Sequence, residues 1–138
     1  FDVPYEPGTL KAVNSKGKEE FVLKTAGEPA AIRLIADRSK IKACKNDLSY
    51  VKIELVDKNG NVVPETSLPV KIECTGKGTV IAGGNAAYAD MESFRSLTPN
   101  TFRGKAIAIV QPDGEKGDIQ VKVSAKGLED ASIVITTY

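Results

Sequence analysis

The sequence predicts an all-β fold, built as a β-sandwich, on two observations. The first is composition: the chain has 13 Val, 11 Ile and 9 Thr against 8 Leu, and β-branched side chains suit the half-buried, pleated surface of a sheet. The second is pattern: short apolar runs recur between Gly, Pro and Asn turn residues, without a convincing helical period. The length of 138 residues suits one domain, or one domain plus a fragment.

Nine segments of the chain are expected to form strands. The clearest is 50–56, where alternation places Val51, Ile53 and Leu55 towards a core and the charged residues between them towards solvent. The Asn59-Gly60 pair after it predicts a tight turn. In chain order the expected strands are 9–14, 20–24, 31–36, 50–56, 70–74, 79–82, 102–110, 118–125 and 131–136.

The first two strands form a unit of their own. Ser15-Lys16-Gly17-Lys18 between them predicts a hairpin turn. Gly27 and Pro29 then interrupt regular pairing, which predicts a boundary between residues 1–27 and 28–138. A hairpin is too small to fold alone. We therefore expect residues 1–27 to be the remnant of a neighbouring domain, and a chain that starts at Phe1 rather than Met agrees with a piece cut from a larger protein.

Composition excludes several classes of function. The net charge is +1, with 19 basic and 18 acidic residues in no large block, which gives no support to nucleic-acid binding. No apolar run approaches the ~18 residues of a membrane helix, so membrane insertion is not expected. The chain has no His, which excludes Ser-His-Asp triads and the usual His-bearing zinc sites. We expect no cofactor and no metal, and we expect Cys44 and Cys74 to remain free thiols.

Two short motifs have ordinary structural interpretations. Asp57 begins an Asp-x-Asn-x-Asn run like the start of a calcium loop, but its twelfth position is Leu68 instead of Glu, so we expect a turn. Gly83-Gly84 could cradle an anion with backbone N–H groups. Without a following helix or Lys, a tight bend is the favoured interpretation.

Residues 83–101 form the one long stretch without a strand pattern. A structureless segment of this length suggests a functional or packing role. Met91, Phe94 and Leu97 recur every third residue, which would suit a helical turn, and we expect them to anchor the loop inward. The partner or sugar surface would then be formed by Asn85, Tyr88, Asp90, Glu92 and Arg95.

The loop carries weak signals for two other functions. Asp90 and Glu92 are two residues apart, but nothing nearby suggests the desolvated cleft that a glycosidase needs, so we expect no catalytic residue in this chain. Tyr88 and Phe94 could form a sugar-stacking platform, although core anchoring explains loop aromatics equally well.

Seven segments, taken in order, resemble one known family. They are 3–13, 24–30 followed by 32–34, 47–51, 56–64, 84–85, 92–94 and 102–106. The first resembles the closing strands of the β-sandwich domain that precedes the C-terminal module of bacterial β-galactosidase-like enzymes of glycoside hydrolase family 2. The next, 24–30 followed by 32–34, is similar to the junction between those domains, and the last five resemble the immunoglobulin-like C-terminal module. The loop departs from the family's usual Gly-Asn-Gly-Asp-Pro and lacks its His before Glu92.

The resemblance implies a non-catalytic accessory module, because the family's catalytic glutamates belong to a (β/α)₈ barrel that this chain does not contain. It implies an immunoglobulin-like sandwich that packs on other domains of the same polypeptide, in a periplasmic or secreted enzyme. Two alternatives stay open: a carbohydrate-binding module, with sugar as the partner, and an adhesin-type immunoglobulin-like repeat.

Overall fold

The structure, a computed structural model, describes residues 2–14, 16–17 and 19–138. These residues form ten strands and no helix, so the all-β prediction is confirmed. The strands are β1 (Thr9–Val13), β2 (Glu20–Lys24), β3 (Ala31–Ala36), β4 (Lys40–Ile41), β5 (Ser49–Val56), β6 (Lys71–Gly76), β7 (Gly78–Gly84), β8 (Lys105–Pro112), β9 (Gly117–Ser124) and β10 (Ala131–Thr137).

Eight of the strands form two four-stranded sheets that face each other. One sheet has the order β3-β5-β8-β7 and the other β4-β10-β9-β6. Every contact within the sheets is antiparallel except that β4 runs parallel to β10. The chain changes sheets after β3, which places β3 and β4 on opposite layers. The result is a β-sandwich, as the sequence predicts.

The core lies between the two sheets and comes from alternate residues of each strand. Val51, Ile53 and Leu55 are fully buried on β5, as the alternation predicts. The facing layer is supplied by Ile119, Val121 and Val123 of β9, Ile135 of β10 and Ile72 of β6. The high content of both Val and Ile agrees with this fold, because both side chains suit a strand with one buried face.

Glu54 lies on the outer face of β5, yet its side chain is buried. Arg33, its partner across the β3-β5 ladder, donates from Nε at 2.9 Å and from Nη2 at 2.6 Å to Glu54 Oε2. The Lys52 ammonium lies 3.7 Å from the other carboxylate oxygen. The alternation of apolar and polar residues predicts the correct face of the sheet for Glu54. It does not predict that these basic side chains cover the carboxylate.

Two features differ from the sequence-based expectation. Strand β4 was not expected, because it consists of two residues and has only Ile41 as an apolar signal. Strand β8 begins at Lys105 rather than at Phe102, because Phe102–Lys105 is a tight two-residue turn. Arg103 and Gly104 occupy that turn with φ values of 51° and 71°, and the left-handed backbone required there is a common property of such hairpin turns.

The remaining two strands, β1 and β2, pair only with each other. Their register places Leu10 opposite Leu23 and Ala12 opposite Phe21, so one face of the hairpin is apolar. All ten strand residues are nevertheless exposed. The predicted turn at 15–18 includes two residues outside those described. A hairpin with an apolar face and no cover of its own is marginally stable at best.

Candidate functional site

The candidate site is the long loop between β7 and β8, and it starts at Gly83 and Gly84. Both glycines are the last residues of β7, so the expected tight bend is wrong. Instead, they allow the returning part of the loop to lie directly on the strand. A Cβ at Gly83 would lie 2.9 Å from the Ser96 carbonyl oxygen, and one at Gly84 would lie 2.8 Å from the Phe94 ring. The Gly83 N–H donates to the Phe94 carbonyl at 2.7 Å.

A network of four polar side chains holds the loop in shape. The Asn85 amide donates to Asp90 at 2.5 Å and to the Asn100 carbonyl at 2.9 Å. The Asn100 amide donates to Glu92 at 2.6 Å. Asn85 and Asp90 also accept backbone N–H groups two residues further on, at 2.7 and 2.9 Å. These are Asx-type turns, which fix an irregular backbone without strands.

The returning half of the loop runs along the free edge of β6. The Ile72 N–H donates to the Leu97 carbonyl at 2.8 Å, and the Val70 N–H donates to the Pro99 carbonyl at 3.0 Å. The buried Thr101 side chain then accepts the Leu68 N–H at 2.9 Å. The loop therefore contacts both sheets, through β7 in one and β6 in the other.

The tip of the loop points away from the protein. Tyr88 is 100% exposed, Met91 96% and Phe94 70%, and Leu97 is also exposed. The expectation that Met91, Phe94 and Leu97 anchor the loop inward is therefore wrong for Met91, whereas the Phe94 ring, although mostly exposed, lies over Gly84. The polar network anchors the loop, and the apolar side chains are presented to solvent.

The five residues predicted to form the partner surface occupy different positions. Tyr88 and Arg95 are exposed. Asp90 and Glu92 are exposed as well, but each accepts a hydrogen bond from an amide side chain within the loop. Asn85 is half-buried at the centre of the network. The loop therefore divides into a polar base (Asn85, Asp90, Glu92, Asn100) and an exposed tip (residues 86–95 apart from Asp90 and Glu92).

The chemistry available at the loop is limited. Its cavity, whose lining includes Asn85, Asp90, Glu92 and Phe94, encloses about 30 Å³, whereas ligand pockets enclose about 300–1,000 Å³. Within the ranges that the structure describes, no three His, Cys, Asp or Glu side chains group as a metal site would require. The arrangement suits contact with another macromolecular surface better than capture of a small molecule.

A second functional region is the junction between the hairpin and the sandwich, and it centres on Asp57. This buried carboxylate accepts N–H groups from Gly27 at 2.9 Å, Asn59 at 2.8 Å and Asn61 at 2.9 Å, and the Asn61 amide at 3.1 Å. The Gly27 hydrogen bond, followed by the Asn61 amide, lowers the pKa of Asp57 to about 2. Gly60 has a φ of 80°, so the run from Asp57 is a turn, as predicted.

The link that Asp57 makes between the turn and Gly27 is a structural role that sequence reasoning missed. The Asp-x-Asn-Gly-Asn pattern predicts the turn, since Asp and Asn side chains bond the backbone two residues on. It does not reveal that one carboxylate oxygen also binds Gly27, thirty residues earlier in the chain. Only the fold brings that contact about.

Both cysteines are free thiols, as predicted. Cys44 is exposed, and Cys74 is half-buried, which raises the pKa of its thiol. Nowhere in the described ranges does a helix occur with the length and apolar character needed to cross a membrane.

Comparison with known proteins agrees with the sequence resemblance. A curated β-galactosidase of Bacteroides ovatus (BoGH2A) is 34% identical over 97% of this chain, and one from Thermoanaerobacter pseudethanolicus is 30% identical over 83%. The chain spans only 16% of the length of each. A solved glycosyl hydrolase family 2 member from Bacteroides cellulosilyticus is 39% identical and superposes with a TM-score of 0.90 over 99% of this chain and 19% of its own.

The family model for glycoside hydrolase family 2 C-terminal domain 5 matches residues 32–134, which run from β3 into β10. This match leaves the hairpin outside and covers both sheets and the long loop. On this evidence the chain belongs to the C-terminal domain 5 family of glycoside hydrolase family 2.

Proposed function

We propose that this chain is a non-catalytic accessory domain of a β-galactosidase-like enzyme, and that the exposed tip of the long loop contacts another domain of the same polypeptide. The observation that carries the proposal is the combination of a fixed base and an apolar tip. Tyr88, Met91 and Phe94 are exposed although the polar base holds the loop firmly. A preorganised apolar surface loses little conformational entropy on binding, which favours an interface.

The acidic side chains support a non-catalytic role. A glycosidase needs two carboxylates that flank a cleft, one of them with a raised pKa. Among the described residues, the buried acids are Glu54 and Asp57. Glu54 is paired with Arg33, and Asp57 accepts four hydrogen bonds. Asp90 and Glu92 on the loop are exposed and hydrogen-bonded to amides.

Activity assays test the non-catalytic role directly. We expect no turnover of nitrophenyl galactoside or related substrates by this chain above the buffer background. Turnover that disappears on Asp90→Asn or Glu92→Gln would contradict the proposal, because it would assign the loop carboxylates to catalysis.

A protein partner is favoured over sugar because the tip offers no platform. Tyr88 and Phe94 are the aromatic residues of the loop, and the Phe94 ring already covers Gly84. One free ring and a cavity of about 30 Å³ give a sugar little to bind.

A periplasmic or secreted location, expected from the family resemblance, stays a prediction.

Docking to the rest of the enzyme tests the interface. The catalytic region is expressed separately and titrated with wild type, Tyr88→Ala, Met91→Ala and the control Tyr138→Ala. Tyr138 is also an exposed aromatic, but it follows β10 in the other sheet. We expect the two tip variants to bind roughly tenfold more weakly, as for truncated anchor residues, and the control to bind as wild type does.

The same variants separate the carbohydrate alternative. If docking is unchanged in both tip variants while Tyr88→Ala abolishes retention on a polysaccharide gel, the domain is a carbohydrate-binding module. Loss of docking without any effect on the gel supports the interface.

A further inference from the structure

The hairpin and the sandwich enclose one continuous groove. The hairpin side is lined by the Leu10–Leu23 cross-strand pair, and the sandwich side by Pro64, Phe102 and Ile107. Residues 3–6 run along the same groove. It encloses about 1660 Å³, which exceeds the roughly 300–1,000 Å³ of small-molecule sites. Its dimensions and open shape therefore suit a protein surface.

The lining of the groove is more apolar than polar. Leu10 and Leu23 belong to the apolar face of the hairpin, which is exposed along its whole length. Ile107 is 38% exposed on the outer face of β8. Exposed apolar surface that is contiguous across two structural units marks an interaction site rather than a chance arrangement.

Hydrogen bonds at the junction connect the hairpin to the sandwich. The Gly27 N–H binds Asp57, and the Thr25 N–H and side chain bind the Gly8 carbonyl and N–H at 2.8 and 2.9 Å. The connection between hairpin and sandwich is therefore hydrogen-bonded at both of its ends. A connection of this kind is not a flexible linker.

We infer that this groove receives the domain that precedes the hairpin in the longer polypeptide, so that one partner packs on the hairpin and on the sandwich at the same time. The inference rests on the proposed function, since it takes the partner from the same enzyme. Two facts select this occupant. The curated relatives are far longer than this chain, which matches the C-terminal domain of the family. Residues 3–6, which a domain before the hairpin would directly adjoin in the chain, already line the groove.

The consequence is that the preceding domain and the sandwich form one rigid unit. The apolar face of the hairpin would complete the core of the preceding domain, and that domain would also cover Ile107 and Phe102. The groove adjoins the long loop at Asn85 and Ala86, but the exposed side chains of Tyr88, Met91 and Phe94 do not line it.

A matched pair of substitutions tests the inference. Ile107 and Ile81 are the same residue type, are each 38% exposed, and lie on adjacent strands of one sheet, but only Ile107 lines the groove. Ile107→Asp and Ile81→Asp are compared in the full-length enzyme and in the 138-residue chain. The readouts are the rate of limited proteolysis at residues 25–29 and the sedimentation coefficient.

In the full-length enzyme we expect Ile107→Asp to raise the cleavage rate roughly tenfold, because a carboxylate left in an apolar contact opens the interface and proteolysis follows the open population. We expect Ile81→Asp to leave the rate at the wild-type value. In the isolated chain both variants should sediment and digest as the unsubstituted chain does.

Three results would overturn the inference. Equal cleavage rates for the two variants in the full-length enzyme would show that the groove is not covered there. A change of the isolated chain from dimer to monomer with Ile107→Asp would assign the groove to self-association. If Tyr88→Ala weakens docking while Ile107→Asp has no effect, the proposed function holds and the groove inference fails on its own.

Discussion

The contact between the long loop and β7 gives a sharp prediction at Gly83. A Cβ at this position would lie 2.9 Å from the Ser96 carbonyl oxygen and 3.3 Å from the Ile72 side chain. A backbone oxygen cannot rotate away, so the loop must move off the strand. We therefore expect Gly83→Ala to lengthen or break the hydrogen bond from the residue 83 N–H to the Phe94 carbonyl, now 2.7 Å.

The magnitude follows from two effects. Overpacking in a fitted contact costs about 1–3 kcal/mol, and a lost hydrogen bond costs a further ~0.5–1.5 kcal/mol. Neither glycine of the pair has a positive φ, so Ala introduces no backbone strain. We expect a total destabilisation of about 1.5–4.5 kcal/mol, measured by urea unfolding with an unchanged m-value.

Gly84→Ala is the matched control. Its Cβ would lie 2.8 Å from the Phe94 ring, and that side chain is 70% exposed and free to turn towards solvent. We expect a loss below about 1 kcal/mol, as for a surface substitution with a small readjustment. If Gly83→Ala is as stable as Gly84→Ala, and the amide of residue 83 exchanges as slowly as in wild type, the loop does not lie against β7 as described.

Four further predictions concern stability and the thiols. The pKa of Asp57 is lowered from 3.8 to about 2. Its contribution to the free energy of unfolding is therefore complete above the unfolded pKa and is lost as pH falls towards 2. Asp57→Ala should reduce that pH dependence in denaturant titrations between pH 5 and 2. Leu55→Ala should cost about 2–5 kcal/mol in urea unfolding, because Leu55 is fully buried. Thiol titration in denaturant should count two free thiols, and in the native protein Cys44 should react faster than Cys74, whose burial raises its thiol pKa. Deletion of residues 1–27 should leave one cooperative unfolding transition, and its loss would show that no domain boundary lies near Gly27.

The sandwich was predictable wherever burial repeats along the chain. Alternation identifies Val51, Ile53 and Leu55 because every second residue of β5 faces one core. Strand β4 was not predicted, because a single buried residue, Ile41, cannot form an alternating pattern. Glu54 was assigned to the correct face, but its burial depends on Arg33 from another strand.

The loop was harder to predict because the apolar character of a residue there does not match its exposure. Met91 is apolar, and in isolation that favours burial. Its neighbours in space are set by Asn85, Asp90, Glu92 and Asn100, whose hydrogen bonds use residues up to fifteen positions apart. A local pattern does not contain that information. The length of the segment did indicate that it matters.

In the long loop, the residues that shield the edge of β6 are different from the residues that are exposed at the tip. The Leu97 carbonyl accepts the Ile72 N–H of β6, and the Pro99 carbonyl accepts the Val70 N–H just before that strand. Such N–H groups at a sheet edge are otherwise open to pairing with a second molecule. Residues 86–89 and 91 of the tip take no part in these two hydrogen bonds. Substitutions of the exposed side chains at the tip can therefore change the surface of the loop while the hydrogen bonds from the Ile72 and Val70 N–H groups stay in place.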